Sequence, residues 1–161
     1  MNIELEQISI DEKPILSNLM QLCFHDYSEF NDEDVGPYGL FNYKYLDYYW
    51  TEPERFAYFV KINGKLAGFA LGRQNRPENG ERINILSEFF ILRKYRRKGI
   101  GMKVAHRLFA KYPGKWSVVQ EADNFPAQAF WRKVIDEYTK GNFTETQGEK
   151  GPLQEFESSK R

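Results

Sequence analysis

Three groups of residues have the types and spacing to do chemistry. The run Arg96-Arg97-Lys98-Gly99-Ile100-Gly101 joins cations to glycines. Glycines lack the Cβ that keeps an anion off the main chain, and a helix N-terminus offers unpaired amides and a positive dipole end, so a run of this kind at the start of a helix favours phosphate. Glu88 is the only ionisable residue between Ile83 and Leu92. Desolvation among Leu86, Phe90 and their neighbours should raise its pKa and make it a better general base near neutrality; the same carboxylate can equally pair with an arginine or accept from strand amides. The third group is acidic and aromatic, with Asp26, Glu29, Asp32, Glu33 and Asp34 followed by Tyr38, Tyr43, Tyr45, Tyr48 and Tyr49. It would attract an ammonium group through Coulomb and cation–π attraction, or form a solvated acidic surface edged by tyrosines.

Elements must position these groups. Ile83 to Leu92 is apolar on both faces, as in a strand covered on both sides. From Ile100 the apolar positions Ile100, Val104 and Leu108 recur at helical spacing, with Ala105 and Phe109 beside them. The order is therefore strand, phosphate-binding turn, helix. Ile3 to Ile10 reads as a first strand, and Ile15, Leu19, Leu22 and Cys23 mark one face of a helix beginning near Asp11. Arg55 to Ile62 and Lys65 to Leu71 read as strands joined by a tight turn at Asn63-Gly64. Lys115 to Gln120 gives a further short strand. Asn124 then caps a helix with Pro126 in its first turn and Phe130, Val134 and Tyr138 at helical spacing, flanked by Trp131 and Ile135. The tail reads as two short strands, Phe143 to Thr146 and Leu153 to Glu157, around a turn, with Ser158 to Arg161 frayed.

Several functions are disfavoured. Val104 stands where a dinucleotide-binding fingerprint needs a third glycine, and Met102-Lys103 replaces the Lys-Ser/Thr of a nucleoside-triphosphate loop. The 23 basic and 23 acidic residues cancel, so no overall field points to nucleic acid or an anionic membrane. Cys23 is the only cysteine, which rules out an intrachain disulfide, a cysteine zinc cluster and a redox pair. It reads as a packed thiol. His25 and His106 are far apart in sequence, and no metal is expected. The opening MNIELEQISI lacks the basic and apolar regions of a leader, so a single cytoplasmic domain over residues 1–161 is expected.

The strand, turn and helix together resemble the acyl-CoA-binding core of the GNAT superfamily of N-acetyltransferases, whose pattern Gln/Arg-x-x-Gly-x-Gly/Ala is matched by Arg96, Gly99 and Gly101. Asn124, Ala127 and Phe130 match a second GNAT pattern, Asn-x-x-Ala-x-x-Phe/Leu-Tyr. The resemblance implies an α/β (α+β) fold with a mixed, mostly antiparallel central sheet flanked by helices, and a central pair of strands that splay apart. It implies acetyl-CoA as cosubstrate. The backbone of Arg97, Lys98, Gly99, Ile100, Gly101 and Met102 would hold the pyrophosphate. Phe89, Phe90, Ile91, Asn124, Ala127 and Phe130 would lie along the pantetheine.

One position departs from the pattern. Trp131 occupies the place where many members carry the tyrosine that protonates the departing thiolate, and an indole N–H donates a hydrogen bond without acting as an acid near neutrality. Tyr138, a water or unassisted departure would have to replace it. The activity implied is acetyl transfer to a primary amine of a small cationic acceptor, with Glu88 as general base and Asp26, Glu29, Tyr38 and Tyr45 near the acceptor. A protein lysine or N-terminus as acceptor, or a non-catalytic acyl-CoA sensor, are the other readings. Similar proteins commonly dimerise, which admits a homodimer; neither nucleic acid nor membrane is implied.

Overall fold

A computed structural model describes residues 1–159. Seven strands form one sheet: β1 (Ile3–Gln7), β2 (Arg55–Ile62), β3 (Lys65–Asn75), β4 (Ile83–Ile91), β5 (Gly114–Val119), β6 (Thr144–Gln147) and β7 (Pro152–Ser158). Their spatial order is β1-β2-β3-β4-β5-β7-β6. Every neighbouring pair is antiparallel except β4 and β5, which run parallel because the helix between them returns the chain to the same end of the sheet. Four α-helices accompany it among the described residues: α1 (Lys13–Asn31), α2 (Tyr48–Thr51), α3 (Ile100–Lys111) and α4 (Phe125–Thr139).

Each face of the sheet buries its own core. On one face Val104, Ala105, Leu108 and Phe109 of α3 and Trp131, Val134, Ile135 and Tyr138 of α4 pack against Val60, Leu86, Ile91 and Trp116. On the other, Leu16, Met20 and Cys23 of α1 meet Phe59, Phe69, Leu71 and Phe90. The mixed, mostly antiparallel sheet with flanking helices is the expected architecture.

Three local expectations are corrected. First, α1 buries Leu16, Met20 and Cys23, while Ile15 and Leu22 are exposed. The stripe Leu16-Met20-Cys23 continues at helical spacing into Tyr27; the stripe Ile15-Leu19-Leu22 runs into Asp26 and Glu29, which burial would penalise. Second, the strand expected to reach Ile10 ends at Gln7, where Ser9 and Glu12 form a reciprocal capping box that turns the chain. Third, Ser158 is not frayed: it ends β7 and is buried, its hydroxyl donating to the Phe109 carbonyl at 2.6 Å. Lys160 and Arg161 lie outside the described residues.

Candidate active site

The site forms where β4 and β5 separate. They pair only from Ile83 with Lys115 to Ile85 with Ser117, and β5 then stays with β7 through Val119 while β4 continues alone on that edge to Ile91. A strand edge without a neighbour presents unpaired main-chain groups that an extended ligand can use as an added strand would. A cleft of about 980 Å³ opens there, lined by residues from α1, the connection after it, β4, the turn before α3, α4 and the β6–β7 turn.

Within β4 a bulge decides where Glu88 points. Leu71 opposes Glu88 and Gly72 opposes Leu86, which leaves Ser87 unpaired. One extra residue reverses the alternation of side chains. Before the bulge Leu86 joins the α3–α4 core; beyond it Phe89 and Ile91 face that core, and Phe90 packs with the α1 cluster. Glu88 shares the parity of Phe90, so it turns toward α1 and the cleft that it lines, and away from the apolar layer beneath α3. No described residue gives its carboxyl a hydrogen bond or an ion pair. Burial raises its pKa from 4.5 to about 7; the Lys150 ammonium lowers it, and the Glu121 and Glu33 carboxylates raise it further. Glu88 is thus half ionised near neutrality and unencumbered, which suits proton acceptance.

The turn expected from sequence to receive an anion precedes α3. Gly99 caps the helix with φ 76°, and Arg97 also has positive φ, at 62°. The first helical bond runs from the Lys103 amide to the Gly99 carbonyl at 3.2 Å, and the amides from Arg97 through Met102 donate to no described acceptor. Six free donors at a helix N-terminus form a cradle for an oxyanion such as pyrophosphate. The side chains play other parts. Ile100 is buried in the α3–α4 core and Lys98 lies outside the cleft lining. At Gly101 an added Cβ would stand 3.0 Å from Cζ of Phe130 and press that ring back by a few tenths of an ångström, so this glycine also serves the close approach of α4 to α3. Arg96 donates through Nε to the Ile91 carbonyl at 2.6 Å and through Nη2 to Asp26 at 2.6 Å, with its guanidinium over the Phe90 ring.

That last contact corrects the role expected of Asp26. Its carboxylate also accepts from Arg93 at 2.8 Å, so it ties α1 to the turn and is not free for an ammonium group. Burial alone would raise its pKa, but the hydrogen bonds and charges of Arg96 and Arg93 outweigh burial and hold it below the usual carboxylate value.

Helix α4 supplies the opposite wall. The Asn124 side-chain oxygen accepts from the Ala127 amide at 3.1 Å, capping the helix, while Asn124, Ala127, Phe130 and Trp131 all line the cleft. Trp131 is nearly buried and meets Phe89 and Phe130 edge to face, with ring centroids 5.0 and 4.9 Å apart. Its indole N–H has no described acceptor. Tyr138 is corrected as a substitute acid. Two turns further along α4, it is buried in the α3–α4 core with its hydroxyl 2.7 Å from Ser158 Oγ, and it is absent from the cleft wall.

Of the acceptor residues read from sequence, Asp26 and Tyr45 line the cleft, but Glu29 and Tyr38 do not. Glu29 lies about 200° around α1 from Tyr27, on the solvent side. Tyr38 is 93% exposed in the turn closed by Gly36 and Leu40. In their place the structure brings in Tyr27, whose hydroxyl donates to the Phe89 carbonyl at 3.1 Å, and Tyr43, whose hydroxyl lies 2.9 Å from that of Tyr49. Burial, with Glu88 charge contributing, raises the pKa of Tyr27 and Tyr43 and pushes the Cys23 thiol upward as well, so none of the three is poised to ionise. Sequence reading also missed Glu121 and Lys150 as lining residues. Their signal is long-range, since it depends on the β6–β7 turn meeting the end of β5. No three His, Cys, Asp or Glu side chains among the described residues are grouped to hold a metal ion, and no described helix is long and apolar enough to cross a membrane.

Residues 16–135 match the model of the acetyltransferase (GNAT) family. No curated protein matches the chain. Among solved structures, it is similar to an acetyltransferase from Thermus thermophilus, with 16% identity and a TM-score of 0.70 over 96% of this chain and 95% of that one. The PaiA N-acetyltransferase of Thermoplasma acidophilum, solved in complex with coenzyme A, aligns with 13% identity and a TM-score of 0.62 over 98% and 99% of the two chains. Arabidopsis thaliana Naa50 in complex with the bisubstrate analogue CoA-Ac-MVNAL aligns with 16% identity and a TM-score of 0.65 over 97% and 99%.

Proposed function

We propose, on the premise that this chain belongs to the acetyltransferase (GNAT) family, that it moves an acetyl group from acetyl-CoA to the primary amine of a small cationic acceptor. The observation that carries this reading is one junction: six free amides at the start of α3 stand at the end of the strand whose unpartnered edge carries Glu88. Amides Arg97 to Met102 hold the pyrophosphate, the edges of β4 and β5 receive the pantetheine, and Phe89, Phe130 and Trp131 exclude water beside the thioester. Acetyl-CoA supplies the activated acyl carbon. The amine nitrogen attacks that carbon, the C–N bond forms as the C–S bond breaks, and Glu88 receives the nitrogen's proton. The Trp131 indole N–H is not acidic enough to transfer its proton, so the sulfur leaves as thiolate and is protonated by solvent.

Support for a small ammonium acceptor comes from the cleft lining, where Phe24, Tyr27, Tyr43 and Tyr45 stand with Glu33 on the α1 side and Glu121 adds a carboxylate at the end of β5. The test is release of free CoA from acetyl-CoA over a panel of amines and peptides, with the acetylated product identified by mass. Product from small amines and none from peptides is expected; product from peptides alone would move the acceptor to a protein. Acetyl-CoA binding without release across the panel would overturn the transferase reading in favour of a sensor, which the indole in place of a phenol favours.

A further inference from the structure

Lys150 is a charge the proposed reaction does not use. It sits in the β6–β7 turn, exposed, and lines the same cleft as Glu88. Its backbone is fixed: the Ala122 amide donates to the Lys150 carbonyl at 3.0 Å, and the Gly148 amide to that of Gly151 at 2.8 Å. At Gly151 an added Cβ would fall 2.3 Å from the Gln120 carbonyl oxygen, so the turn is pressed against the end of β5 with no room for a side chain. The ammonium is therefore presented from an anchored support, yet it has no hydrogen bond or ion pair with a described residue.

The other lining charges define what it faces. Asp26 is consumed by Arg93 and Arg96. Lys44 rests over the Tyr45 ring, 5.0 Å from its centroid. Glu33 and Glu121 remain as unpaired carboxylates, but the charge that Glu88 feels most strongly is that of Lys150. Lys150 is thus the cation whose charge reaches the base, while Arg97, in the turn before α3, and Lys133, on α4, are further cations of the same lining, unpaired among the described residues. A second ammonium group close to the reacting nitrogen would be repelled there, and an anionic group would be drawn in.

We infer that Lys150 receives a carboxylate of the acceptor, and that the preferred acceptor is a small primary amine carrying a carboxylate a few bonds from the reacting nitrogen, as in an amino acid. This deepens the proposed transferase reading and rests on it. Glu88, Glu33 and Glu121 then attract the ammonium end while Lys150 orients the other. An exposed pair of this kind is worth about fivefold in affinity and is screened by salt.

The test compares L-amino acids with their primary amides, and with spermidine as a polycation, for the wild type, Lys150→Gln and Lys150→Glu. Comparing each acceptor across the three proteins cancels its intrinsic basicity. For Lys150→Gln the acid-to-amide ratio of kcat/KM is expected to fall about fivefold, through acceptor KM, and the fall should fade in high salt. Lys150→Glu should deepen it and improve spermidine. A ratio that stays constant across the three proteins overturns the inference, and so does a rise confined to the KM of acetyl-CoA, which would assign the lysine to CoA phosphates. Wild-type protein that forms no acetylated product and releases no CoA with any of these amines overturns the transferase reading and this inference together; release without acid-amide discrimination overturns this inference alone.

Discussion

Replacing Glu88 by glutamine separates its electrostatic cost from its proposed use. In the folded chain its pKa is about 7 against an ordinary 4.5, a difference that corresponds to at most about 3 kcal/mol. The sign follows from proton binding. Between pH 4.5 and 7 the folded state holds the proton more tightly than the unfolded chain, so the contribution of this group to stability falls as pH rises through that window and is level on either side. Glutamine keeps the shape and cannot ionise. Urea unfolding from about pH 4 to about pH 8.5 should therefore show Glu88→Gln matching the wild type at the acid end and gaining progressively, by about 2–3 kcal/mol, toward the alkaline end. In parallel, wild-type kcat/KM should rise with pH around a midpoint near 7, and the variant should lose that limb together with about 10²- to 10⁴-fold of turnover. Acceptor amines titrate too, so the unfolding measurement is the cleaner arm. Parallel stability curves for the two proteins would refute the buried-carboxylate argument. A shifted stability curve with unchanged turnover at every pH would leave the electrostatics standing and remove Glu88 from the chemistry.

The two motif glycines should fail differently. Gly101→Ala forces Phe130 aside and should cost about 1–2 kcal/mol of stability along with acetyl-CoA affinity, whereas Gly99→Ala meets open space and should weaken acetyl-CoA binding through its left-handed backbone, at about 1 kcal/mol of strain. Calorimetric titration alongside thermal melts distinguishes them, and an unaltered affinity in both variants would remove the turn from CoA binding. Asp26→Asn should loosen Arg96 and raise the KM of acetyl-CoA while sparing that of the acceptor; the opposite split in steady-state kinetics would restore Asp26 to the acceptor site. Trp131→Phe should hold kcat within about threefold, since no proton leaves from this position, and a loss of about a hundredfold in single-turnover rate would show that the indole N–H stabilises the departing sulfur.

What sequence alone discloses here is what repeats locally. The helical spacing of Ile100, Val104 and Leu108, the Asn124 cap and the Asn63-Gly64 turn each involve neighbours within a few residues, and each element appears where its pattern places it. In α1 two apolar stripes compete within one turn of helix, and only the neighbouring sheet decides between them. The acceptor residues suffered from the same ambiguity. Asp26 and Glu29 continue the stripe that the sheet did not choose, so one became a tether and the other a solvent-facing carboxylate.

The bulge at Ser87 is the deeper reason that the fold was more legible than the site. With alternation unbroken, Glu88 would share the face of Leu86 and lie beneath Val104, Leu108 and Trp131, where an ionised carboxylate would have no partner and no cleft. One unpaired residue turns it to the α1 side, beside the cleft, at half-ionisation near neutral pH. Nothing in INILSEFFI announces that shift, because both faces of the strand are apolar and either register buries the same residue types. It is fixed by pairing across to Gly72 and Leu71, whose sequence separation from Glu88 hides it from any local pattern. Restoring the alternation tests this directly. Deleting Ser87 makes Leu86 and Glu88 neighbours, still opposite Gly72 and Leu71, so the deletion should fold with Glu88 kept on the α1 side and its pH-dependent stability preserved; a Ser87 deletion that folds but loses that pH dependence would refute the account of the bulge.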